Sequence, residues 1–423
     1  PKPGRNRRMN AISGLHEEAL LAERLLARFA ELGADPKGGI TRPAWSEAET
    51  ACHDALAEAA AARGLAVHRD AVGNLWLAPE GLGDRPAPAC GSHCDSVPQG
   101  GNYDGAAGVV AGLLVALRAA RAGIALRAVA LRAEESPWFG APYLGTRAAF
   151  GLLDPAELAQ PRRGDGLPLA ACIARAGGDP AAACTGRPLP EIARVTAFWE
   201  AHIEQGPVLL DRGLPAAAVT AVRGHLRHPA ARCLGEAGHS GVVPRHLRRD
   251  PALAVAEFLM DLDTLWARQE QEGADLVLTA GMLSTEPDAA TPTRIPGEVA
   301  FSLDIRSADP AVLGGMERVL AERAAEIGRR RGVSFALGRA VRAAPVALDP
   351  RRAAAIEAAL PRPFAMASGA GHDAAEFARN GVPAAMVFLR NAGGSHNPAE
   401  AMDIADLMAG VEALWAAIRA TGG

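Results

Sequence analysis

The sequence predicts an α/β chain of two domains, the larger interrupted by the smaller. Three observations carry that reading. Residues 89–114, ACGSHCDSVPQGGNYDGAAGVVAGLL, read as a strand, a polar loop and a buried helix. Between about residues 220 and 340 the periodicities run strand, helix, two strands, helix, strand. That order suits one antiparallel sheet with two helices on one face. After residue 341 helix and strand alternate again. The expected boundaries are 1–218 and 341–423 for the larger domain and 219–340 for the smaller.

The elements follow in order. Apolar residues at helical spacing predict a helix over residues 15–32, and the basic stretch PKPGRNRRMN before it lacks the apolar run of a secretory signal. The residues before Met9 read as a tail, native or appended. Ser46 is placed to cap a helix whose first turn carries Glu47 and Glu49. Residues 65–77 alternate as β structure around the Gly73-Asn74 turn. IALRAVALRA, residues 124–133, is a strand ending on Glu134-Glu135. Residues 154–190 are a Pro- and Gly-rich surface excursion, and 195–209 suit either strand or helix. In the interrupting domain, strands are expected over 227–236, 275–283, 298–306 and 333–341, with helices over 248–271 and 310–331. The return to the larger domain brings a helix over 352–360, the loop SGAGHD, a buried strand over 383–390, the loop GGSHNP and a last helix over 404–420.

Composition excludes several classes of function. The 44 Lys and Arg against 48 Asp and Glu give a net charge of −4 with no basic stripe, so no nucleic-acid partner is expected. No apolar run is long enough to span a bilayer. The six cysteines show neither CxxC spacing nor a disulfide-dense pattern, as in a reduced, cytoplasmic protein.

The chemistry concentrates at a few points. His93 and Asp104 sit on the loop that leaves the first strand's C-terminal end, where ligands bind in open α/β sheets. Both are ligand types for a divalent cation, and an Asp can bridge two ions. Asp95 is placed to accept from the second nitrogen of the His93 ring. The Glu134-Glu135 pair is unfavourable unless something positive stands beside it. Glu200, His202, Glu204 and Gln205 crowd an otherwise apolar segment, and burying them needs partners. His239 is flanked by glycines that allow close approach.

GSHCDSVPQGGNYDG, EES with the later FG and LG, HIEQGPVL, GEAGHSG, PGEVAFSLDIR, SGAGHDA and GGSHNPAE occur in this order. Together they resemble the N-carbamoyl-L-amino-acid hydrolase, β-ureidopropionase and allantoate amidohydrolase family, over residues 14–418. That family is related to aminoacylases and carboxypeptidase-G-type enzymes. The resemblance implies a zinc-exopeptidase-like catalytic domain with a ferredoxin-like α+β lid that also forms a homodimer. It implies two divalent ions per subunit, zinc first, with manganese, cobalt or nickel as substitutes. His93 and His202 would hold one ion, Glu135 and His396 the other, Asp104 would bridge them, and Glu134 would be the general base. Arg306 matches the residue that binds the substrate carboxylate; Gln205, Gly371 and His372 match pocket-lining residues. His239 matches a residue that stabilises the oxyanion from the partner's lid.

Two departures stand out. Thr293 replaces the family's usual Asn, and a hydroxyl lacks the amide's fixed donor–acceptor pair. Arg223 and His225 differ from the usual apolar-Gln-Gly stretch and receive no assignment. The expected function is hydrolysis of a carbamoyl, ureido or acyl C–N bond in a small carboxylate. The alternatives are a specialised amidase, deacylase or dipeptidase on the same fold, and a binding protein that has lost catalysis. All six ligand and base positions are filled, which disfavours the last.

Overall fold

The computed structural model describes residues 3–422, with side chains from residue 14 on. Residues 1–2 of the expected tail lie outside the described residues. The first helix begins at Pro3 and runs to Leu32, longer than the apolar spacing alone indicates. By compactness the chain divides into one unit of residues 1–220 and 347–423 and a second of residues 221–346.

The first unit is built on a nine-stranded mixed sheet. Its strands are β1 (Leu65–Arg69), β2 (Leu75–Pro79), β3 (Ala87–His93), β4 (Arg127–Leu131), β5 (Val195–Ile203), β6 (Ala216–Val222), β7 (Val346–Ala347), β8 (Ala365–Ser368) and β9 (Ala384–Leu389). The order is β1-β2-β4-β3-β5-β9-β6-β7, with β8 also on β6. The central strands β4, β3, β5 and β9 run parallel. The hairpin β1–β2, its join to β4, and β6 are antiparallel. Residues 195–209, ambiguous by pattern, divide: β5 ends at Ile203, with every residue except Thr196 buried, and a short helix, Val208–Arg212, follows. Ser46 accepts from Glu49 N and caps the helix Glu47–Ala61.

The helix Ala106–Ala122 is buried along all of residues 106–119, as the Ala, Gly, Val and Leu content up to Leu117 predicts, while Arg118 is buried in ion pairs with Glu18 and Glu412. Two glycines let it lie directly on the sheet. A Cβ at Gly108 would stand 1.9 Å from Ala201 O, and one at Gly112 would stand 2.6 Å from Cys90 O. This contact fixes where the helix starts, and therefore where Asp104 stands just ahead of it.

The second unit is an antiparallel sheet with the helices Pro251–Gln271 and Pro310–Arg331 packed on it. Strand Glu298–Ser307 alternates buried and half-buried residues along its length, as expected for a sheet covered on one face. It lies between Leu283–Thr285 and Gly224–Leu234, with Ser334–Ala336 beyond. Two expected strands are broken. Residues 275–283 yield Val277–Thr279 and, past Gly281, Leu283–Thr285, which pair on either side of a bulge between Phe301 and Leu303. Residues 333–341 yield Ser334–Ala336 and Val341–Ala343, separated where Gly338 takes a left-handed φ of 72°.

Candidate metal centre

Six acidic and imidazole side chains meet at the C-terminal ends of the parallel strands. His93 is the last residue of β3 and His202 the last but one of β5. Glu134 and Glu135 follow β4, Asp104 precedes the buried helix, and His396 lies in the loop after β9. The topology alone therefore gathers residues from opposite ends of the sequence.

They form two groups whose ligand atoms lie within 4.8 Å of one another: His93, Asp104 and His202, and Asp104, Glu135 and His396. Each group has the composition and spacing to hold a metal ion, and Asp104 belongs to both. Asp104 Oδ1 is 3.6 Å from His93 Nε2 and 3.2 Å from His202 Nε2, while Oδ2 is 3.4 Å from His396 Nε2. Glu135 Oε1, 3.3 Å from the same His396 nitrogen, is buried with no hydrogen bond among the described residues.

The imidazoles carry the decisive test of fit. His93 Nδ1 faces Asp95 O at 3.1 Å, and His202 Nδ1 faces Ile203 O at 2.9 Å. A carbonyl only accepts, so both Nδ1 atoms carry protons, and in the neutral rings Nε2 is the atom that offers a lone pair. Those two Nε2 atoms face each other at 3.4 Å. Lone pairs and carboxylate oxygens converging in one buried place fit a divalent cation of the zinc type.

The Glu134-Glu135 turn is held from behind. The Glu134 and Glu135 N–H groups donate to the two oxygens of Asp95, each at 3.1 Å. Asp95 thus divides its work: its carbonyl takes the His93 proton, and its carboxylate, 3.3 Å from Nδ1, clamps the acidic pair. Ala133 stands at φ 52°, and its N–H donates to Glu49 Oε1 at 3.2 Å. Glu49 in turn pairs with Arg132 at 2.5 Å, both fully buried. Glu134 Oε2 stands 3.9 Å from His93 Nε2. Burial, reinforced by the Glu135 and Asp373 carboxylates, pushes the Glu134 carboxyl well above the usual range despite the nearby His93. The Asp104 and Glu135 carboxylates facing its Nε2 raise His396 to about 10.

The other expected residues fall in several places. Gln205, at φ 65°, donates from Nε2 to Asp104 Oδ2 at 2.8 Å, so it stands at the centre of the cluster. His372 stacks edge-on to His202 with ring centroids 4.5 Å apart, and its Nε2 meets Ser368 Oγ at 2.8 Å. Gly371 has no room for a side chain, since a Cβ there would lie 1.6 Å from Tyr143 Oη. Glu204 is structural, accepting from Val208 N and Leu209 N at 2.8 and 2.6 Å. Glu200 is buried and accepts from Ser92 Oγ at 2.7 Å and Ala374 N at 2.8 Å.

Glu400 is seen in the sequence only as a neighbour of the GGSHNP loop, with no role attached. It accepts from Tyr103 N at 2.8 Å, Asp104 N at 3.1 Å and Ser395 Oγ at 2.6 Å. Ser395 Oγ also reaches Asp104 Oδ2 at 2.7 Å. One buried carboxylate therefore ties the Asp104 loop to the residue beside His396. Its carboxyl carbon would lie 2.1 Å from a Cβ at Gly101, so the glycine of the GGNYDG loop marks the place.

His239, Thr293 and Arg306 belong to the second unit. Residues Gly238–His239 pair with Arg294–Ile295, and Ser240 N donates to Thr293 O at 2.9 Å, so His239 and Thr293 are neighbours. Arg306 grips Asp304 through Nη2 at 2.7 Å and Nε at 3.2 Å. His225 pairs opposite Arg306 across the sheet. Arg223 finds a structural role: it holds Asp275, with Nη2 at 2.6 Å, and Asp275 also accepts from Ala308 N at 2.6 Å.

A family model described as peptidase family M20/M25/M40 matches residues 89–420, a span that contains all six clustered residues. The chain is 35% identical over 410 residues to an N-carbamoyl-L-amino acid amidohydrolase of Geobacillus stearothermophilus, covering 93% of this chain and 97% of that one. It is 32% identical to an allantoate amidohydrolase of Bacillus subtilis, covering 91% and 93%. Among solved structures, a hydantoinase/carbamoylase family amidase from Burkholderia ambifaria superposes with a TM-score of 0.82 at 32% identity, covering 96% and 98%.

Proposed function

The chain belongs to peptidase family M20/M25/M40, and from that premise we propose that it is a two-metal amidohydrolase cleaving a carbamoyl or ureido C–N bond of a small carboxylate substrate. The observation that carries the proposal is the pair of three-residue donor groups sharing Asp104, with Glu134 beside them. His93 and His202 would hold one ion, Glu135 and His396 the other. Bound divalent ions, zinc or in its place manganese, cobalt or nickel, supply Lewis acidity and lower the pKa of water.

The chain's own residues do the rest. Glu134 takes a proton from the attacking water and hands it to the leaving nitrogen. Asp95 keeps Glu134 and Glu135 in place by holding their main-chain N–H groups. Glu135 would be a metal ligand, which leaves Glu134 as the base. Gln205, Gly371 and His372 line the substrate's place, and Arg306, with a planar guanidinium suited to carboxylates, recognises the acid group. Thr293 helps to set which substrate is accepted, and His239 supports the oxyanion.

We assign the second unit the roles of lid and homodimer contact. Its outer strand Leu283–Thr285 is exposed, with Leu283 60% accessible, and offers an edge for pairing with another copy. No described helix is long and apolar enough to cross a membrane. All six cysteines are unpaired, in keeping with the cytoplasm as its compartment.

Thr293, standing where the family usually has Asn, motivates one second reading, an acyl rather than a ureido substrate. Products separate them. The metal-loaded protein should release ammonia and carbon dioxide from an N-carbamoyl amino acid or another ureido acid. Release of a carboxylic acid alone, from N-acyl substrates only, would replace the ureido reading by a deacylase.

A further inference from the structure

The chain carries a net charge of −4, yet in the second unit arginines converge from two stretches far apart in sequence. Residues 245–249 and the last turn of helix Pro310–Arg331 face each other across a cleft of about 630 Å³. Its walls hold Arg245, Arg248, Arg249, Arg329, Arg330 and Arg331, against two carboxylates, Asp250 and Glu257. The two walls are in contact at the base, where a Cβ on Gly332 would lie 3.3 Å from Arg249 Cγ.

Both carboxylates are already engaged. Asp250 caps the helix Pro251–Gln271, accepting from Ala252 N at 3.0 Å and Leu253 N at 3.3 Å. Glu257 takes Arg330 on one oxygen and Arg331 on the other. Arg249 has an exposed Glu236 at 3.7 Å. Arg248 donates to Val243 O at 2.9 Å and to Ser240 O, bonds that fix the guanidinium without neutralising it. Arg245 and Arg329 have no ion pair among the described residues.

The negative end of a helix dipole accounts for basic residues at 329–331. It gives no reason for three more arginines on the facing wall. Like charges crowded on a concave surface raise its potential and draw counter-ions. Guanidinium forks match the oxygens of phosphate groups, and the cleft has the volume of an ordinary small-molecule site. We propose that this cleft binds a small molecule bearing clustered phosphate groups, at a site formed entirely by the second unit.

The test uses the full, metal-loaded chain and inorganic triphosphate as probe, followed by calorimetry at about 0.15 M salt. The comparison is the double variant Arg245→Glu/Arg329→Glu, which breaks no ion pair and should keep the parent's melting temperature and hydrolytic activity. The parent should bind one equivalent per chain, more weakly as salt rises, and the double variant at least about 10-fold more weakly. Chelation of metal by the probe would be the same in both proteins and cancels. Equal binding by the two proteins, or no saturable binding by the parent, overturns the proposal. So does binding of a long polyanion such as heparin without binding of triphosphate.

Discussion

The Nε2 atoms of His93 and His202 stand 3.4 Å apart, and both face Asp104 Oδ1, at 3.6 and 3.2 Å. A divalent cation between the two neutral rings and Asp104 would use all three donors at once. Exhaustive chelation should therefore abolish turnover and lower the melting temperature, and Zn²⁺, Mn²⁺ or Co²⁺ should restore both. Protein verified metal-free by elemental analysis that kept its rate would contradict the metal reading.

Glu400 joins the two loops that carry Asp104 and His396, so its loss should act on metal affinity. Glu400→Ala should weaken metal binding about 10-fold or more, the usual scale for partners that orient ligands. Glu400→Gln keeps an acceptor for the Tyr103 and Asp104 N–H groups and should retain most of the affinity. Titration of the stripped proteins with Zn²⁺ checks this. Parent-like affinity in a folded Glu400→Ala protein would show that the contact is incidental.

Acid sensitivity should trace in part to His53. Its ring is fully buried, and neither nitrogen has a hydrogen bond among the described residues. Burial first, then the Arg132 and Arg69 charges, hold its pKa well below the ordinary value. The unfolded chain therefore takes up this proton first, and stability falls as the pH drops below about 6.5. Above that range both states are neutral at this position and nothing is lost. Denaturant unfolding at pH 7.5 and 5.5 should show a smaller acid loss for His53→Phe than for the parent; equal losses would assign the sensitivity elsewhere.

The sheet, the buried helix and the antiparallel second unit were legible because burial imposes period and composition on each. The donors were legible as residue types at strand ends, and their order along the chain completed the picture. What was not legible is how the loops aim them. Ala133, Tyr143, Gln205 and His396 all take left-handed backbone angles, with φ between 52° and 65°, around the cluster. None is the glycine or asparagine that announces such a turn, and the surrounding packing holds them there. The role of Glu400 was hidden for a related reason. Its partners are main-chain N–H groups almost 300 positions away, which leave no trace in residue type. The broken strands in the second unit reflect a bulge and a glycine whose effects depend on the partner strand.

Two adjacent glutamates divide the labour of base and metal ligand in the proposed reaction, and one pair of variants measures that division. Metal content and kcat are determined together for Glu134→Gln and Glu135→Gln on the substrate that releases ammonia. Glu134→Gln should keep the parent's full metal content while kcat falls by roughly 10²–10⁴. Glu135→Gln should lose affinity for the ion it shares with Asp104 and His396. A Glu134→Gln protein that lost metal and kept its rate would contradict the account.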